Sequence, residues 1–115
     1  MKENITHLAE EVIREGEEDW VMVDFLIGVS EDHADANGGD FREISVALLR
    51  ELLDDGLMEI GDLGESGFEA WSESTDDAIA KFKEGCESLN WRPMGGLWWL
   101  ANTKKGAQWL HGGRS

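Results

Sequence analysis

The chain has 115 residues with 25 Asp and Glu against 10 Lys and Arg, a net charge of −15, and one cysteine. Its length predicts a single domain over residues 1–115, able to bury roughly two-thirds of its unfolded surface without metal or disulfide. Cys86, being alone, excludes an internal disulfide and a multi-cysteine zinc site. No run approaches the ~20 apolar residues that cross a membrane, and the N-terminal Met-Lys-Glu-Asn-Ile-Thr-His has no stretch of signal-peptide type, so a cytoplasmic location is expected.

Charge is distributed unevenly. Residues 1–90 carry all 25 acids with 6 bases, a balance of −19. Residues 91–115 carry Arg92, Lys104, Lys105 and Arg114 and no acid. Such an excess repels phosphate backbones and speeds encounter with a basic partner. Six Trp and four Phe, with no Tyr, concentrate the apolar surface in a few large rings.

In chain order, Ile5, Leu8, Val12 and Ile13 fall at helical spacing and Gly16 stops a first short helix. Glu17, Glu18 and Asp19 then suit a helix start before Trp20, and Trp20 to about Ser30 reads as a buried second helix. Glu31–Asp40, with its Asn-Gly-Gly, reads as a loop. Ile44, Val46, Leu49, Leu52 and Leu53 mark a third helix from near Asp40 to just before Gly56.

Leu57–Ile60 and Phe68–Trp71 read as the strands of a β-hairpin joined by the glycine-rich Gly61–Gly67. Ser74 or Thr75, followed by Asp76 and Asp77, starts a fourth helix in which Ala78, Ile79, Phe82, Cys86 and Leu89 form the apolar face. Cys86 on that face is read as a small core residue. Pro93 and Gly95-Gly96 break the chain. Leu97–Ala101 is suited to a strand buried on both faces, and Asn102 or Thr103 caps a last short helix.

No constellation in this pattern carries catalysis. His7, His33 and His111 include no pair at metal-ligand spacing within one helix. Asp35, Asn37 and Asp40 suggest a calcium loop, but position twelve counted from Asp35 is Val46 rather than Glu. The glycine clusters match no phosphate-binding fingerprint. The sequence therefore implies no enzyme, metal or cofactor.

A helix followed by a two-stranded wing suggests a winged-helix architecture, in which the third helix would read a DNA groove. That helix carries Arg42 and Arg50 among Asp40, Glu43, Glu51, Asp54 and Asp55, and the hairpin has no base. Like charge argues against direct nucleic-acid binding there. The acids Asp54, Asp55, Glu59, Asp62, Glu65 and Glu69 instead form the candidate partner-binding set, with Trp71 as its aromatic anchor.

Val46-Ala47-Leu48-Leu49-Arg50-Glu51-Leu52-Leu53-Asp54-Asp55-Gly56-Leu57, Gly67-Phe68 with Trp71, and Trp99-Leu100-Ala101-Asn102-Thr103-Lys104-Lys105-Gly106 together resemble small acidic bacterial immunity proteins of winged-helix-like build. These proteins are paired with polymorphic toxins, including those of contact-dependent growth inhibition. The resemblance spans Ser45–Leu110 and its motifs determine fold rather than chemistry. It implies a winged-helix-like α+β fold of about five helices, a β-hairpin and a further apolar strand. It also implies direct binding of a basic toxin nuclease. The alternative is a winged-helix interaction or transcription-regulator module with no toxin partner.

Overall fold

The computed structural model describes residues 5–113. Its elements are α1 (Thr6–Glu15), β1 (Val21–Met22), α2 (Val23–Asn37), α3 (Phe41–Asp54), β2 (Met58–Gly64), β3 (Gly67–Ala70), α4 (Thr75–Ser88), β4 (Trp99–Asn102) and α5 (Lys104–Gln108). An irregular turn, Trp109–Gly113, follows. The architecture is α+β, with five helices and a four-stranded antiparallel sheet among the described residues. Among the described residues, no helix is long and apolar enough to cross a membrane.

Three helix starts are set by side-chain caps that satisfy otherwise orphaned N–H groups. Asp40 accepts from the Arg42 amide at 2.9 Å, Ser74 from the Asp77 amide at 3.2 Å, and Thr103 from the Gly106 amide at 2.9 Å. The helices contribute Val12, Leu26, Ile44, Leu48, Leu52 and Phe82, among others, to one core. Cys86 is buried in it on α4, as a small core residue.

Two expectations fail in the segment between α1 and α3. Glu31–Asn37 is not a loop but the continuation of α2. The Asn-Gly-Gly stop acts at its own position: Gly38 and Gly39 have φ of +87° and +104°, a region open to glycine, and the polar residues before them stay helical. The predicted second helix also starts three residues too early. Trp20 precedes a short strand in which Val21 pairs with Leu100 and Met22 with Trp99, so partners distant in sequence override the local pattern.

The hairpin departs from expectation, because most of Gly61–Gly67 is strand. Residues 61–64 pair with Gly67–Ala70, residues 58–60 pair with β4 instead, and Leu57 and Trp71 fall outside the strands. Only Glu65 and Ser66 lie between β2 and β3. The sheet order is β1-β4-β2-β3, so β4 separates β1 from the hairpin. Registers place Ile60 opposite Leu100 and Val21 opposite Leu100, and all three face the helices as part of the core.

The neighbouring positions along each strand point the other way. Met22, Glu59, Leu63 and Ala70 are exposed there, and Phe68, Trp99 and Ala101 are half-buried. The β4 strand is therefore not buried on both faces, since only Leu100 is fully enclosed. The physical reason is that the helices cover one side of the sheet alone.

The sheet is strongly curled. Trp20, at the β1 edge, stacks on Phe68 of β3 at the opposite edge, with ring centroids 6.4 Å apart. Gly61 permits the bend: a Cβ there would lie 2.1 Å from the Glu69 carbonyl oxygen and 2.8 Å from Ala70 Cα.

Candidate partner-binding surface

The predicted acidic set is divided by the fold. Asp62 and Glu69 are direct cross-strand partners on the helix-facing side of the hairpin. Glu59 alternates to the outer side, in line with Ala101. Glu65 is exposed in the hairpin turn. Asp54 ends α3 and Asp55 is its C-cap, with no basic residue in the last turn. Carboxylates at that end meet the negative pole of the helix dipole. Asp54 and Asp55 line a groove with Ile5, Thr6, Ala47 and Arg50, whereas Glu59 and Trp71 line a separate cleft of about 250 Å³ beside Gly56 and Thr75.

Trp71 is half-buried and held on three sides. Its indole Nε1 donates to Asp62 Oδ2 at 2.9 Å, its ring meets Trp98 edge-to-face at 5.0 Å, and Lys81 Nζ sits 4.0 Å over its centroid. Lys81 also pairs with Glu73 at 3.3 Å. With its indole N–H and both neighbours engaged within the chain, Trp71 forms a structural strut between the hairpin and α4.

The arginines elsewhere are matched. Every arginine among the described residues is in an ion pair: Arg14 with Glu10, Arg42 with Asp40, Arg50 with Asp76 and Arg92 with Glu31. His111 pairs with Glu17. Arg114 of the basic tail lies outside the described residues. The hairpin, by contrast, holds Glu59, Asp62, Glu65 and Glu69 and no base.

Among the described residues, no group of three or more His, Cys, Asp or Glu is placed to hold a metal ion. Cys86, buried on α4, has its thiol pushed up to about 12 by burial, with the Asp24 and Glu87 carboxylates adding to the shift. A thiol so shifted is protonated at neutral pH and a poor nucleophile.

Sequence reasoning missed a second group of residues. Trp20, Met22, Leu63 and Met94 are large apolar side chains left exposed, Met94 at 87%. Leu89, expected on the apolar face of the fourth helix, is instead its exposed C-cap, because α4 ends at Ser88. Met94 belongs to a segment whose backbone is under strain, since Asn90, Trp91 and Met94 all have φ between +55° and +59°. That segment is fastened by Asp24 Oδ2, which accepts from the Gly95 amide at 3.0 Å, and by the Arg92–Glu31 pair at 2.6 Å. The sequence signal was weak: Pro93 and Gly95-Gly96 announce a turn, but not which side chain it presents.

No family model, curated protein or solved structure matches the chain.

Proposed function

We propose that this protein binds and neutralises a basic protein partner, in the manner of an immunity protein acting in the cytoplasm against a toxin nuclease. One observation carries the reading: a hairpin with four carboxylates and no base sets two of them, Asp62 and Glu69, directly opposite each other. Like charges so placed weaken a sheet. A cationic surface laid against them relieves that repulsion and is drawn in by the field of the whole chain. Occupation of a nuclease groove by carboxylates in place of phosphates gives the mechanism of inhibition. The pairing of every described arginine supports it, because these cations are already engaged and offer little to a nucleic acid.

The order α3 and then hairpin supports a second reading, a winged-helix module that contacts another protein without a toxin. The test is copurification of the tagged chain with the product of the gene next to its own, followed by assay of that product's nuclease activity. A one-to-one complex with activity abolished supports inhibition. A complex that leaves a nuclease fully active, or no complex, overturns it. A gel shift against short duplexes at low salt checks the regulator reading.

A further inference from the structure

We propose that the partner docks on the outer face of the sheet, with Trp20, Met22, Leu63 and Met94 as its apolar anchors and the surrounding carboxylates as its rim. The inference rests on the reading above that the partner is a cationic protein, and adds the surface that it occupies.

Four observations converge. First, the face is apolar and open: Trp20, Met22 and Leu63 are 41–42% exposed and Met94 87%. Second, these residues adjoin one another. Trp20 and Met22 alternate onto the same side, Trp20 stacks on Phe68, and Phe68 is the cross-strand partner of Leu63. Met22 Sδ lies 3.4 Å from where a Cβ on Gly95 would stand, so the Met94 turn borders the same side. Third, Met94 is held outward by a left-handed backbone that L-residues adopt only when surroundings impose it. Strain of that kind gathers at sites of recognition.

Fourth, the charge around the face has one sign. Glu17, Glu18, Asp19, Asp24, Glu59 and Glu65 lie in the segments that border that face, while Asp62 and Glu69 alternate to the helix-facing side and Arg92, beside the Met94 turn, is paired with Glu31. An apolar centre within a charged rim is the usual anatomy of a protein interface, and methionine and tryptophan are favoured in its centre. The complement is a surface with apolar side chains encircled by Lys and Arg. A second copy of this chain would bring the same negative rim against itself, so self-association is disfavoured by charge.

The test uses two synthetic peptides of equal positive charge, one alternating Leu and Lys and one alternating Ser and Lys. They are titrated into the isotope-labelled chain while the Trp indole and Met methyl NMR signals are followed. The Leu-Lys peptide is expected to move the Trp20 indole and the Met22 and Met94 methyls, leaving the buried Met58 and Trp91 in place. The Ser-Lys peptide should bind more weakly and leave those methyls unmoved. Met94→Ser and Leu63→Ser, both at exposed positions, should each weaken the Leu-Lys peptide at least about tenfold, with Val46→Thr on α3 as the unaffected control.

Equal shifts from both peptides, shifts centred on Trp71, absence of binding at millimolar peptide, or a dimer of the free chain in sedimentation would each overturn the assignment. No toxin enters this experiment. A neighbouring-gene product that fails to bind defeats the function proposed above while leaving the peptide map standing, and a failed map leaves that function to act through another face.

Discussion

Trp20 and Phe68 belong to opposite edges of a four-stranded sheet, yet their rings stack with centroids 6.4 Å apart at an interplanar angle of 27°. The contact ties the acidic segment before β1 to the tip of the acidic hairpin, so two regions of like charge are held together by aromatic attraction. In a double-mutant cycle of Trp20→Ala and Phe68→Ala, thermal or urea unfolding should show a coupling of about 0.5–1.5 kcal/mol. Additivity within a few tenths of a kcal/mol would mean that the rings do not hold the curl.

The bend behind that contact makes two glycines behave oppositely. Gly61→Ala puts a methyl 2.1 Å from the Glu69 carbonyl oxygen, a backbone atom with little room to yield, and should destabilise by about 1–3 kcal/mol. Gly28→Ala lies within α2 with nothing within 4 Å of the added methyl, and should stabilise by about 0.4–1 kcal/mol through lost freedom of the unfolded chain. Urea midpoints of the two variants check the pair; shifts of the same sign would refute the account of Gly61.

Local signals in the sequence were legible where one residue decides the outcome. Helix starts near Asp40, at Ser74 or Thr75, and at Asn102 or Thr103 were readable because a short polar side chain can bond the next turn's N–H without reference to the rest of the fold, and the structure selects Asp40, Ser74 and Thr103. The α2 tail was misread because Glu31–Asn37 has a loop's composition, and only its docking beside α3 and the glycine stop beyond it make it helical. Trp20–Met22 was misread because its pairing with β4 joins residues nearly eighty positions apart. The acidic set was visible as a cluster in sequence, but strand alternation sends Glu59 to one side and Asp62 with Glu69 to the other. The apolar outer face was not legible, since it depends on left-handed backbone at Asn90, Trp91 and Met94 and on the curl at Gly61.

Cys86 gives a pH dependence of definite sign. Its thiol is raised from 9.0 to about 12 by burial first and by the nearby Asp24 and Glu87 carboxylates second. The unfolded chain therefore loses this proton before the folded chain does, and the stability it contributes is complete below pH 9 and lost as pH rises from 9 toward 12. Urea unfolding at pH 8 and pH 10.5 should show a steeper decline for the natural chain than for Cys86→Ala, which lacks the group. Reaction with a thiol-specific chromogenic reagent at pH 8 should be slow in the folded chain and fast in urea. Rapid labelling of the folded chain would contradict its burial.

The opposed pair Asp62 and Glu69 links stability to recognition. Asp62 is retained by the Trp71 indole at 2.9 Å, so Glu69 is the partner whose charge can be removed with least structural change. Glu69→Gln keeps the side-chain shape, removes the repulsion, and should stabilise the free chain by about 0.2–1 kcal/mol at low salt. Added salt screens the same repulsion, so the difference from the natural chain should shrink as ionic strength rises toward 1 M. A basic partner gains from that charge on approach, so the same substitution should slow association while leaving dissociation nearly unchanged, as expected for a carboxylate that steers encounter from outside the docking face. Stopped-flow binding measured beside urea unfolding separates the two effects. If Glu69→Gln lowers stability, or leaves the association rate unaltered at low salt, the opposed carboxylates are not held in reserve for a cationic surface.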